Sequence, residues 1–137
     1  MNESRSLFVD MIDAWNNHDL DRATAFFAAD YEGADVARPE TQFGPTGMRE
    51  ALALYYRALP DIRFTVDDLV LEGEHAVILW TARGTHRGSL MNIPPSNRAV
   101  TVRGVSVFTL RDGKVVRGLY IWDVAGMLRN IGLLPEL

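Results

Sequence analysis

The sequence predicts an α+β domain in which N-terminal helices pack on one face of a curved antiparallel sheet. Three observations predict it. Apolar residues recur at helical spacing through the first sixty positions, the period changes to two after Pro60-Asp61, and the second half reads as strands joined by tight turns. Helices followed by consecutive hairpin-linked strands is the pattern of helices segregated to one side of an antiparallel sheet. At 137 residues, with no linker or repeat, residues 1–137 read as a single domain.

Ser4 or Ser6 is placed to cap a first helix that carries Leu7, Phe8, Met11, Ile12 and Trp15 on one face. Asn16-Asn17-His18 breaks it. Asp19 then caps a short second helix, with Leu20, Ala23, Phe26 and Phe27 turned inward. Tyr31 to Asp35 reads as a short strand, and Ala37 to Gly47, with its prolines and glycines, as a loop. The spacing of Met48, Leu52, Tyr55, Tyr56 and Leu59 predicts a third helix from about Thr46 to Leu59, stopped by Pro60-Asp61. Ile62 to Leu71, Ala76 to Gly84, Arg98 to Leu110 and Val115 to Trp122 then read as strands. Asp112-Gly113 supplies the positive φ angles a two-residue hairpin turn demands. Val124 to Ile131 forms a closing helix with Gly132 as its C-terminal stop.

Composition narrows the function. A net charge of −4 without a basic cluster argues against nucleic-acid binding. With no cysteine, disulfides, thiolate metal sites and cysteine nucleophiles are excluded. No apolar run is long enough for a membrane span, and the polar Met1 to Ser6 opening lacks the apolar core of a signal peptide. A soluble cytoplasmic domain is the expectation. No His-x-x-x-His, acid cluster, glycine-rich phosphate loop or Ser-His-Asp arrangement is apparent, so no metal or cofactor is called for.

Several segments together carry a resemblance: Gly84-Thr85-His86-Arg87-Gly88, Ile93-Pro94-Pro95, Gly104 through Phe108, Asp112-Gly113-Lys114-Val115-Val116 and Trp122-Asp123 followed by Gly126. Asn16 through Asp21, Phe43 through Gly47 and Leu59-Pro60-Asp61 extend it over nearly the whole chain. In this order and spacing they resemble the SnoaL-like polyketide cyclases, or ester cyclases. These belong to the nuclear transport factor 2-like (NTF2-like) superfamily of α+β cones. The resemblance implies a cofactor-free polyketide cyclase or isomerase, performing an intramolecular aldol condensation on a polycyclic, polyketide-like carbonyl substrate. A related hydroxylase- or hydratase-type reaction and a non-catalytic binder of small hydrophobic ligands are the alternatives.

Asp123 and His86 are the candidate catalytic residues. Asp123 ends a strand behind Ile121 and Trp122, where it either projects into an apolar pocket or caps the helix that follows. In the cyclases it resembles, an aspartate at this position is the general acid/base. His86, flanked by glycines near a strand end, could hold a substrate oxygen or assist Asp123. Asp35, Trp15, Tyr56, Trp80, Met91 and Arg103 are candidates for binding substrate: a second carboxylate, pocket-lining apolar groups and a cation within an apolar strand. His18 and His75 read as solvent-facing. The loop from Ser89 to Asn97 should border the pocket opening. A homodimer is expected through the apolar surplus of the last strands, Val100, Val102, Val107, Phe108 and Tyr120.

Overall fold

The computed structural model describes residues 2–136. Helix α1 (Asn2–Asn16) and helix α2 (Leu20–Thr24) are followed by strand β1 (Phe27–Asp35), strand β2 (Gln42–Phe43) and helix α3 (Gly44–Ala58). Strands β3 (Arg63–Glu72), β4 (His75–Thr85), β5 (Ala99–Arg111) and β6 (Lys114–Trp122) precede helix α4 (Val124–Asn130). One six-stranded sheet runs in the order β2-β1-β6-β5-β4-β3. The sheet is mixed: β1 lies parallel to β6, whereas β2 on β1 and the β3–β4, β4–β5 and β5–β6 pairs are antiparallel. Register shifts at Val66/Asp68, Thr109/Leu110 and Phe27/Glu32 bend the strands, as an extra residue in a ladder does, and curve the sheet around the helices.

Local chemistry explains most boundaries. Asp19 caps α2 by accepting from the Arg22 amide at 3.1 Å. Asp112 and Gly113 adopt φ of 52° and 72°, the pairing that a right-twisted two-residue hairpin needs. Gly132, at φ 85°, ends the closing helix. Other boundaries differ from expectation. α1 begins at Asn2, so Ser4 and Ser6 lie inside its first turns and cap nothing. α2 stops at Thr24, and Phe27 opens β1 because its ring is buried against Tyr31, edge on at 4.7 Å. β1 is therefore longer than the Tyr31–Asp35 segment. The loop before α3 contains β2, and α3 starts at Gly44, two residues early, with a proline in its first turn where no amide hydrogen is needed.

Two apolar clusters fill the concave side. Phe8, Met11, Trp15, Phe27, Tyr31, Ile78, Phe108 and Tyr120 belong to the first, between α1 and the sheet. Ala58, Leu59, Ile62, Val100 and Met127 belong to the second, under the C-terminal end of α3 and α4. Tyr56, Phe64 and Trp80 pack against both. The inward direction of Val100, Val102, Phe108 and Tyr120 corrects their assignment to a dimer surface, because Val100, Phe108 and Tyr120 are core and Val102 lines the interior against the second cluster. The apolar residues that face outward are their neighbours by strand parity, among them Leu119 and Ile121, 38% and 44% exposed.

Candidate active site

Where the two clusters meet, the chain forms a half-open cavity with about 80 Å³ of space. At about 10–15 Å³ for each water centre, this is room for several waters or a small ligand group. Trp15, Phe64, Trp80, Tyr120 and Trp122 supply aromatic wall, and Leu52, Leu59, Leu90 and Met127 aliphatic wall. Polar groups are few: Asp35, Gln42, Tyr55, Ser106, the Tyr120 hydroxyl, and Trp15 Nε1, which is buried without a hydrogen-bond partner among the described residues.

Asp35 is the cavity's carboxylate, 5% exposed at the end of β1. Strand alternation puts it there: Tyr31, Gly33 and Asp35 face the core while Glu32 and Ala34 face out. Its Oδ1 accepts from the Ala37 amide at 2.8 Å and from Trp122 Nε1 at 2.9 Å. Its Oδ2 accepts from the Tyr55 hydroxyl. A carboxylate has about four acceptor positions. Three are filled from the protein, and the one left over is on Oδ2. Burial, then the neighbouring Asp35 charge and its hydrogen bond, push the Tyr55 phenol far above its ordinary range, so it stays a donor.

A second polar chain runs beside this one. The Tyr31 hydroxyl donates to Gln42 Oε1 at 2.9 Å and lies 2.8 Å from the Tyr120 hydroxyl. Burial raises both phenols. Further along the same sheet the Trp80 indole lies over Gly104, its partner in register, where any Cβ would collide with the ring. Its Nε1 donates to Ser106 Oγ at 3.0 Å, which fixes the ring plane.

The sequence candidates divide. Asp35, Trp15 and Trp80 line the cavity. Asp123 does not: it is exposed, and its side chain accepts from the Gly126 amide at 2.8 Å as the N-cap of α4. This corrects the expectation that it projects into an apolar pocket. The reason is strand parity, since Tyr120 and Trp122 face inward and the next residue must face out. His86 is buried but is not in the cavity wall. Its Nδ1 accepts from the Ser96 amide at 3.1 Å and sits 3.0 Å from Ser96 Oγ, which ties down the loop before β5. Tyr56 lies behind the wall, donating to the Trp15 carbonyl at 2.8 Å and stacking on His18. His18 is itself half-buried, bonded to the Ile62 carbonyl at 2.8 Å, contrary to its solvent-facing expectation. Met91, at φ 51°, packs on the second cluster outside the cavity. Arg103 is exposed on the outer sheet face. From the loop, Leu90 reaches the cavity wall.

Tyr55, Gln42, Ser106, Tyr120 and Trp122 complete the site and were not among the candidates. Trp122 and Tyr120 were recoverable from alternation along β6; Gln42 sits in a strand of two residues, too short to leave a period. Among the described residues no group of three or more His, Cys, Asp or Glu stands where it could hold a metal ion, and no helix is long and apolar enough to cross a membrane.

Asp123 gives a direct test of its position. Asp123→Asn should keep the cap and leave stability and catalysis unchanged, whereas Asp123→Ala should lose about 1 kcal/mol in urea unfolding. A collapse of activity in Asp123→Asn at unchanged stability would return the chemistry to this residue.

Comparison with known proteins is consistent with this architecture. TsrD from Streptomyces laurentii is 28% identical, with 98% of each chain covered and a TM-score of 0.88. IdmH from Streptomyces antibioticus, a candidate polyketide cyclase, is 24% identical over 94% of this chain and 98% of its own, with a TM-score of 0.80. TerC, crystallised with polyporic acid, is 20% identical over 94% of this chain and 98% of its own, at a TM-score of 0.77. No curated protein sequence gives a significant match. The family model for SnoaL-like polyketide cyclases matches residues 7–131. The chain belongs to the SnoaL-like polyketide cyclase family.

Proposed function

We propose that this protein is a cofactor-independent cyclase or isomerase of polyketide-like carbonyl compounds, and that Asp35 is its general acid/base. Membership of the family supports a polyketide cyclase-type role. The observation that carries the finer reading is a carboxylate held by three protein donors, with an acceptor position on Oδ2 that no donor among the described residues takes, in a mostly apolar cavity. Such a group can take the proton α to a carbonyl, and its orientation is set before substrate arrives. The C–H electrons become the C=C bond of an enolate as the carbonyl electrons move to oxygen. In an intramolecular aldol step the enolate carbon attacks a second carbonyl of the same molecule, and the new alkoxide takes the proton back from Asp35. Atoms balance without an external reagent. That TerC was crystallised with polyporic acid supports a ligand of this kind.

The test uses 2-tetralone, a bicyclic ketone with exchangeable α-hydrogens. The protein should accelerate loss of deuterium from the labelled compound, followed by NMR. Binding of 2-tetralone without any acceleration would favour a non-catalytic ligand-binding protein and overturn the catalytic reading.

Self-association belongs to the same proposal. Outward-facing Val77, Val107 and Leu119 are in register across three strands, as are Leu79, Val105 and Ile121. This apolar band on the convex face supports a homodimer. Light scattering should give about twice the 15.3 kDa chain mass, and Ile121→Lys should reduce it to one. A wild-type chain that stays at 15.3 kDa at micromolar concentration would end the dimer proposal.

A further inference from the structure

Gln42 is 5% exposed, lines the cavity, and has one half of its amide engaged. Its Oε1 accepts from Tyr31, while its nitrogen makes no hydrogen bond among the described residues. The direction of the chain follows from its ends. With Tyr120 donating to Tyr31 and Tyr31 to Gln42, the chain ends on an amide oxygen, a strong acceptor. Reversed, it would end on Met48 Sδ, 3.5 Å from the Tyr120 hydroxyl, and a thioether is a weak acceptor. The amide group therefore presents its two N–H bonds away from Tyr31.

The sequence makes space for this arrangement. Gly33 on β1 is in register with Gly118 on β6, and the phenol hydroxyls sit over the pair. A Cβ on Gly33 would overlap the Tyr31 hydroxyl and stand 2.7 Å from Gln42 Oε1, and one on Gly118 would stand 2.8 Å from the Tyr31 hydroxyl. Gly33 is also the residue that faces Gln42 across the β1–β2 ladder. Asp35, two residues on and on the same buried face, is thus a diagonal neighbour of Gln42, at about 7–8 Å between backbone positions. A free donor and a free acceptor stand side by side on one wall.

We infer that Gln42 is a catalytic residue that donates an N–H to the carbonyl oxygen of the substrate and to the enolate oxygen formed from it, beside the proton acceptor Asp35. The site then selects a ketone with an α-hydrogen on the carbon next to the bound carbonyl: oxygen toward Gln42, C–H toward Asp35. Tyr31 and Tyr120 are positioning residues that hold the amide with its nitrogen free. The proposal deepens the reading of Asp35 as the base and rests on it for the proton-transfer step, while its binding step stands separately.

Two probes read the two steps. 2-Tetralone carries the carbonyl and tetralin lacks it, and quenching of the three cavity tryptophans reports binding of either. Wild type should prefer 2-tetralone by about 2–12-fold, the value of one neutral hydrogen bond. Gln42→Met keeps length without a donor and should bring that ratio to near one. The α-exchange rate should fall at least about 10²-fold, as loss of an oxyanion donor does. Gln42→Glu, with an acceptor in place of the donor, should invert the preference, which keeps the question open to test if the Met variant folds poorly. Tyr31→Phe should lower exchange and preference in part. Asp35→Asn should slow exchange by about 10²–10⁴-fold but keep the preference for 2-tetralone, so failure of the base and failure of the donor are separable. A wild-type protein indifferent to the carbonyl, or a Gln42→Met variant with unchanged preference and exchange, overturns the inference.

Discussion

Asp35→Asn is expected to slow α-proton exchange of 2-tetralone by about 10²–10⁴-fold, the contribution of a positioned general acid/base, with a loss of about 1–3 kcal/mol in urea unfolding for the Tyr55 hydroxyl left without its acceptor. The substitution is close to isosteric. Asn Oδ1 can still accept from the Ala37 amide and Trp122 Nε1, but the third bond is not kept: Nδ2 can only donate, so the Tyr55 hydroxyl loses the carboxylate as its acceptor. What disappears is the basic oxygen with a vacant position. A general loss of packing would lower activity and ligand binding together, and the retained preference for 2-tetralone over tetralin separates the two. Retention of wild-type exchange in Asp35→Asn would remove the base from this site.

Much of the frame was legible because burial imposes periods. The α1 face with Phe8, Met11 and Trp15 follows from one side of the helix meeting the core, whereas along β6 the same rule turns Tyr120 inward, against its assignment to the dimer surface. Turns at Asp112-Gly113 and caps at Asp19 were legible because few residues satisfy them. The parallel contact of β1 with β6 was not, since it joins distant segments and no local signal marks it. The antiparallel sheet that the sequence predicts is corrected at this pair to a mixed one.

The site was legible in part for a related reason. Asp35, Trp15 and Trp80 were named and do line the cavity. Asp123 drew attention as the aspartate beside an aromatic strand end, yet alternation counted from Tyr120 already sends it outward. Tyr55 and Tyr56 are adjacent on the apolar side of α3, and sequence cannot tell which one faces the cavity. Tyr55 reaches Asp35 and Tyr56 reaches the Trp15 carbonyl, a choice made by tertiary packing. Gln42 carried no signal, because its significance lies in what its amide nitrogen does not touch.

Phe108→Ala should lose about 3–5 kcal/mol, the usual range for removing a fully buried aromatic ring. Phe108 is 0% exposed on β5, stacks on Phe8 of α1 at 5.4 Å and meets Tyr120 edge-on at 5.6 Å. It thus joins a helix to the sheet floor and braces the phenol at the start of the Gln42 chain. Neither neighbour can readily close the void: Phe8 is held within the buried face of α1, and Tyr120 by its hydroxyl contact with Tyr31. Against a total stability of about 5–15 kcal/mol for a domain, the loss is large enough to shift the urea midpoint strongly at an unchanged slope. Phe108→Leu, which refills most of the volume, should lose distinctly less. A loss below about 1.5 kcal/mol for the alanine variant would mean that α1 settles onto the sheet and closes the void. In that case Tyr120 would have to move with it, and the preference for 2-tetralone over tetralin should weaken in the same variant.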